Sequence, residues 1–161
     1  MPSEPRSGEG PGPDGQGLTG LEDLRQRMAA GERPPMLALF GIALAEVSEG
    51  EVVFTATPDS TVYNTQGIVH GGFAATMLDT ACGLAPRSAA PAPTDCLTLE
   101  LKVAYHAPLH AGVGEVRAIG TVLSMGRRIA FTEGRLVDAA GTLYASATST
   151  ILLAPRKAAG G

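Results

Sequence analysis

The sequence lacks a basic stripe: its 12 Lys and Arg residues are scattered among 16 Asp and Glu, for a net charge of −4. With no run of cations to neutralise phosphates, nucleic acid is excluded as an expected partner. There is also no apolar run long enough to span a bilayer, so no membrane partner is expected. The first twenty residues lack the apolar centre of a signal peptide, and a cytoplasmic location is the expectation. Cysteine is scarce. Cys82 and Cys96 without an export signal read as reduced, buried thiols, not a disulfide. Histidine is scarce too. His106 and His110 have a spacing found in metal pairs, but Pro108 intervenes and no third ligand is evident, so no metal site is expected.

What remains is a 161-residue chain with 44% hydrophobic residues, enough for one core. The Pro- and Gly-rich residues 1–18 have little to bury, and neither does 154–161; both read as disordered tails flanking a domain at 19–153. Thr19 and Glu22 form a capping-box pattern, followed at helical spacing by Leu21, Leu24 and Met28. Gly31, Pro34 and Pro35 are expected to end that helix. Ile42 to Val47 and Glu51 to Thr57 read as a hairpin around Ser48-Glu49-Gly50.

The segment HGGFAATMLDTACGLAPRSA reads as one long central helix ending near Pro86. Phe73, Ala74, Met77, Leu78, Ala81, Leu84 and Ala85 share one arc, while Asp79 lies opposite with Ala75, Thr76 and Gly83. A solvated face normally carries Lys, Glu and Gln, and this one carries none, which predicts a helix buried on nearly every side. The rest is strand. Leu97, Leu99, Leu101, Val103 and Tyr105 alternate with Thr98, Glu100, Lys102, Ala104 and His106, the period of a half-buried strand. Further strands run Gly114 to Leu123, Ile129 to Val137 and Leu143 to Ile151, between turns at Gly112–Gly114, Ser124–Gly126 and Asp138–Gly141. One helix and a run of strands joined by short turns define an α+β class with an antiparallel sheet packed on the helix.

Chemistry concentrates where Asn64, Gly67, His70, Gly71, Gly72 and Asp79 fall within sixteen residues. Glycines at a helix start allow close approach of a ligand, and the unpaired N–H groups there, at the positive end of the dipole, stabilise a developing oxyanion. A thioester carbonyl suits such a site. A carboxylate inside a helix of small apolar neighbours can serve as general base or nucleophile. Neither a Gly-Gly pair at a helix start nor a mid-helix Asp is diagnostic alone, and the ordered pattern carries the weight.

That pattern, N-x-x-G-x-x-HGG-x-x-x-x-x-x-D, here NTQGIVHGGFAATMLDTACG, resembles the hotdog-fold thioesterases of the phenylacetic-acid-degradation type, the PaaI-like branch of the thioesterase superfamily. The resemblance extends from about Leu39 to Leu153 and includes TLELKVAYHAP, similar to the family's long strand ending in an aromatic residue and a proline. It implies a sheet wrapped around the long helix. It also implies an acyl-CoA thioesterase in which Asp79 activates water or attacks the thioester, the Gly71 amide binds the carbonyl oxygen and Asn64 helps to place the nucleophile. His70 would then support the loop, with Gly72 beside it in the substrate-binding group. No metal or organic cofactor is implied beyond the coenzyme A of the substrate.

Three weaker candidates accompany these. Arg127 and Arg128, at a turn, offer charge to the phosphates of coenzyme A. Thr98, opposite the leucine stripe, is placed to line an acyl pocket. Cys82 has no histidine partner and is read as packing. The rival functions are a non-catalytic acyl-CoA-binding module, which has no need of Asp79, and a hotdog hydratase, whose compact Asp-Asn-His cluster is not matched by the spread of Asp59, Asn64 and His70. Finally, Gly71 and Asp79 lie eight residues apart, roughly 12 Å along one helix axis. One carbonyl cannot touch both, so the site is expected to be shared between two subunits; the resemblance implies the same homodimer, often doubled to a homotetramer.

Overall fold

Thr19 caps the first helix, α1 (Gly20–Ala29), through the expected reciprocal box: its hydroxyl accepts from the Glu22 N–H at 3.2 Å, and the Glu22 carboxylate accepts from the Thr19 N–H at 2.8 Å. The structure, a computed structural model, describes residues 18–156. The expected N-terminal tail therefore lies outside the described residues, apart from Leu18. So does the expected C-terminal tail from residue 157 onward. Of the residues expected in that tail, Ala154 and Pro155 belong instead to the last strand.

Pro34 and Pro35 do more than end α1. Pro35 opens a second short helix, α2 (Pro35–Leu39), at the first helical position, where a missing N–H costs nothing. Two strands follow, β1 (Ala43–Ser48) and β2 (Glu51–Ala56), paired antiparallel. A 3-10 turn at Ser60–Val62 then leads to the central helix α3 (Gly71–Ser88).

Helix α3 runs past Pro86, not to it. The proline lies so near the end that only one ladder bond is forfeited, and the Ser88 hydroxyl donates to the Ala85 carbonyl at 2.8 Å. Met77, Leu78, Ala81, Cys82 and Ala85 are completely buried, and each of the larger ones contributes about 2 kcal/mol of apolar burial. The opposite side differs from expectation. Ala75, Thr76, Asp79, Thr80 and Gly83 are half-buried, so this face is uncovered within one chain.

Four strands complete the sheet: β3 (Thr94–Tyr105), β4 (Val116–Met125), β5 (Ile129–Asp138) and β6 (Leu143–Pro155). All pairings are antiparallel, in the order β1-β2-β4-β5-β6-β3, with β3 at one edge. The sheet wraps α3 because the contact is unusually close. Gly120 and Gly134 are partners across β4 and β5. A Cβ on Gly120 would come within 2.3 Å of the Ala81 backbone, and one on Gly134 within 2.8 Å of Cys82 Sγ. Two facing glycines thus form the seat for the middle of α3.

The expected leucine stripe of β3 is broken. A bulge between Thr98 and Glu100 shifts the register against β6 and reverses the alternation. Before it, Cys96 and Thr98 are half-buried while Leu97 and Leu99 are exposed; after it, Leu101 and Val103 turn inward.

The end of α3 is tied to α1 and to the sheet by charge. Arg87 binds Asp23, which also receives Arg27 at 3.2 Å and Arg156 at 3.6 Å; Arg156 in turn holds Asp95 at 2.9 Å. Burial raises the Asp23 carboxyl, but Arg87 and Arg27 together outweigh it and hold the group below its ordinary value of 3.8. Both partners of the Arg87–Asp23 pair are mostly buried, so Asp23→Ala strands a cation and is expected to cost about 3 kcal/mol, seen as a lowered denaturation midpoint. Because the Asp23 pKa is depressed, its contribution is complete above about pH 3.8 and fades as pH falls through the lowered value. The wild-type and variant stability curves should therefore converge in acid.

Candidate active site

The loop before α3 is built around Asn64. Its side-chain oxygen accepts from the Gln66 N–H at 2.9 Å and the Ile68 N–H at 3.3 Å, while its own N–H donates to the Ile68 carbonyl at 2.8 Å. These bonds fix which end of the carboxamide is oxygen and leave the NH2 end as the free donor. Val69 and His70 are then pinned by backbone bonds to Leu109 and Val62.

His70 is the N-cap of α3. Its Nδ1 accepts from the Gly72 N–H at 2.8 Å, which requires the proton on Nε2. Gly72, expected in the substrate-binding group, lines the cavity at the start of α3 while its amide serves this cap. Glycine suits the position because a Cβ there would lie 2.9 Å from His70 Nδ1. The Gly71 N–H, in contrast, has no protein acceptor among the described residues and sits at the positive end of an 18-residue helix.

Gly71 and Asn64 open onto a cavity of about 510 Å³, lined also by Ile68, Val69, His70, Gly72, Tyr105, Pro108, Leu109 and Tyr144. Its walls are mainly apolar, and the Gly71 N–H is a donor at its edge. Tyr105 closes one side. Its hydroxyl donates to the Gly71 carbonyl at 2.8 Å, a contact sequence reasoning missed; the only signal was an aromatic residue at the end of β3.

Asp79 is not part of this cavity. It lies two turns along α3, roughly 12 Å from Gly71 along the axis, and its Oδ1 accepts from the Thr98 hydroxyl at 2.9 Å. Thr98, expected at an acyl pocket, thus touches the carboxylate itself. The bulge in β3 is what directs Thr98 inward. Around Asp79 the helix face presents no competing polar groups. Thr76 donates to the Gly72 carbonyl at 2.9 Å and Thr80 to the Thr76 carbonyl at 2.8 Å, so both hydroxyls turn back onto their own helix. The face is uncharged apart from Asp79 and half-buried.

Arg127 and Arg128 are exposed at the β4–β5 turn and have no acidic partner among the described residues. Arg127 lines a smaller recess of about 350 Å³ with Ala90, Pro91, Pro93 and Thr94, just beyond the C-terminal end of α3. They therefore stand at the C-terminal end of α3, the end opposite Gly71. His106 Nε2 is 2.8 Å from the Ser146 hydroxyl, and no group of three metal-ligating side chains occurs among the described residues. Burial pushes the Cys82 and Cys96 thiols up to about 11, so both are neutral and poor nucleophiles at physiological pH.

One long helix embraced by a six-stranded antiparallel sheet, with the Gly71 amide open at the helix start, defines a hotdog-fold protein of the thioesterase kind. The Thioesterase superfamily model matches residues 66–145. An esterase-named protein of Halobacterium salinarum is 34% identical over 118 residues, covering 70% of this chain and 76% of the relative. Among solved structures, the TT0310 protein of Thermus thermophilus is 28% identical with a TM-score of 0.67, covering 75% of this chain and 98% of its own. A mutant of the phenylacetic acid degradation protein PaaI from the same organism is 27% identical with a TM-score of 0.66, covering 74% and 98%. The chain belongs to the thioesterase superfamily, as a PaaI-like hotdog protein. No described helix is long and apolar enough to cross a membrane.

Proposed function

We propose that the protein is an acyl-CoA thioesterase whose sites are each assembled from two chains. The carrying observation is the separation on α3 of a free N–H at Gly71 from a carboxylate at Asp79, on a helix whose Asp79 face is uncovered and built of small residues. An antiparallel second copy of α3, related by a two-fold axis, would lay the partner's Asp79 beside Gly71 and generate two equal sites. Family membership supports thioester chemistry; the geometry supports the shared arrangement.

In this reading the thioester carbonyl oxygen accepts from the Gly71 N–H, where the helix dipole favours the charge that develops on it. The partner's Asp79 takes a proton from water as the water oxygen bonds to the carbonyl carbon, or attacks that carbon directly. Collapse of the tetrahedral intermediate breaks the C–S bond; in the first route the proton taken from water leaves with the thiolate as free coenzyme A, and in the second the acyl–Asp79 anhydride left behind is hydrolysed by water, which supplies the thiolate's proton and restores the carboxylate. The Thr98 hydroxyl holds one carboxylate oxygen, directing the other toward the reacting carbon. The Asn64 NH2 group is the donor left to orient water or substrate from the loop side. Neither metal nor organic cofactor enters the scheme.

Thiol release from aromatic, short-chain and medium-chain acyl-CoA tests the activity and ranks the acyl groups together. Binding of these thioesters without release would instead make the protein an acyl-CoA-binding module. The nucleotide end has its own test. Replacing Arg127 and Arg128 by Ala should raise KM for acyl-CoA by about two- to fivefold per arginine. It should spare an acyl thioester that lacks the nucleotide, and the difference should shrink at high salt. Equal losses on both substrates would remove the arginines from phosphate recognition.

A further inference from the structure

We infer that Tyr105 is a positioning residue of this site, locking the peptide plane that follows the oxyanion donor Gly71. The inference rests on the proposed thioesterase reading and assigns a role to a residue outside the Asn64–Asp79 motif.

Gly71 is the most freely rotating residue type, placed where preorganisation matters most. It stands at the first position of α3, before the intrahelical N–H ladder begins, so its donor is not held by the helix itself. The peptide plane that carries the Gly71 N–H is tied at its other end alone, where the His70 carbonyl accepts from the Phe73 N–H at 2.9 Å, so the dihedrals at the Gly71 Cα decide where the donor points. The plane after it is held at both ends. The Tyr105 hydroxyl donates to the Gly71 carbonyl at 2.8 Å, and the Gly72 N–H donates to His70 Nδ1 at 2.8 Å.

The tyrosine ring also fits the glycine. A Cβ on Gly71 would fall 3.1 Å from Tyr105 Cζ and from its hydroxyl oxygen, so the ring occupies the space that a side chain would take. Tyr105 is 56% exposed, which leaves it little to contribute to the core. Its side-chain hydrogen bond to α3 is to this one carbonyl.

The test is Tyr105→Phe, which keeps the ring and removes one hydrogen bond. With an active wild type, kcat on acyl-CoA is expected to fall about three- to tenfold, the worth of one such bond, while KM changes less than about twofold. Amide exchange at Gly72 should accelerate several-fold, with no change at Leu78 in the middle of α3. In a Gly71→Ala background, where the new Cβ displaces the ring, adding Tyr105→Phe should cost nothing further. Unchanged kcat in Tyr105→Phe, or a uniform rise in exchange along α3, would overturn the assignment. If the wild type releases no thiol, the thioesterase reading fails separately, and the local exchange change at Gly72 alone decides whether Tyr105 holds this peptide.

Discussion

Asp79→Asn is expected to fold as the wild type does and to lose about two to four decades of kcat, the span of a positioned base, with KM little altered. The substitution preserves shape and can still accept from the Thr98 hydroxyl, the one side-chain bond the carboxylate makes, at 2.9 Å. It removes only the negative charge and the ability to take a proton. No cation pairs with Asp79 among the described ion pairs, so stability should not suffer as it does when a buried pair is broken. Steady-state kinetics beside a denaturation curve separates the two effects. Turnover close to wild type would remove Asp79 from the chemistry.

Thr98→Val offers no shortcut to the same result, because it leaves the carboxylate in place. A much smaller loss of kcat in Thr98→Val than in Asp79→Asn would identify charge, not packing, as the determinant. A threonine that merely filled a strand position would have no reason to aim its hydroxyl at the helix.

The parts of this account that were legible in the sequence are those carried by local pattern. The capping box at Thr19, the small-residue helix beginning at Gly71 and the order of its site residues all lie within a few turns of chain, where periodicity and spacing are direct physical constraints. What escaped was set by interactions between distant segments. The bulge beside Leu99 cannot be read from an alternation that looks unbroken, yet it turns Leu97 and Leu99 outward and Thr98 inward. Pro35 and Pro86 mark helix ends as expected, but Pro35 also begins α2 and Pro86 sits inside the last turn of α3, neither of which a helix-breaking residue announces. Gly120 and Gly134 look like ordinary strand glycines until α3 is laid against them. The Tyr105 contact with Gly71 spans 34 residues and leaves no sequence signature beyond an aromatic strand end.

The central claim is that each site takes its oxyanion donor from one chain and its carboxylate from another. Co-refolding Asn64→Ala with Asp79→Asn tests it most directly. Asn64→Ala opens the loop that carries His70 and Gly71, because two backbone N–H groups lose their acceptor. Asp79→Asn disables the other half. Each variant alone should be nearly inactive. In a mixed dimer, one site joins the intact loop of the Asp79→Asn chain to the intact carboxylate of the Asn64→Ala chain, while the other site collects both defects. Random pairing makes about half the dimers mixed, each with one working site of two, so the mixture should recover about a quarter of wild-type thiol release. Absence of recovery, with subunit exchange demonstrated by tagged chains, would place the whole site within a single chain and contradict the account.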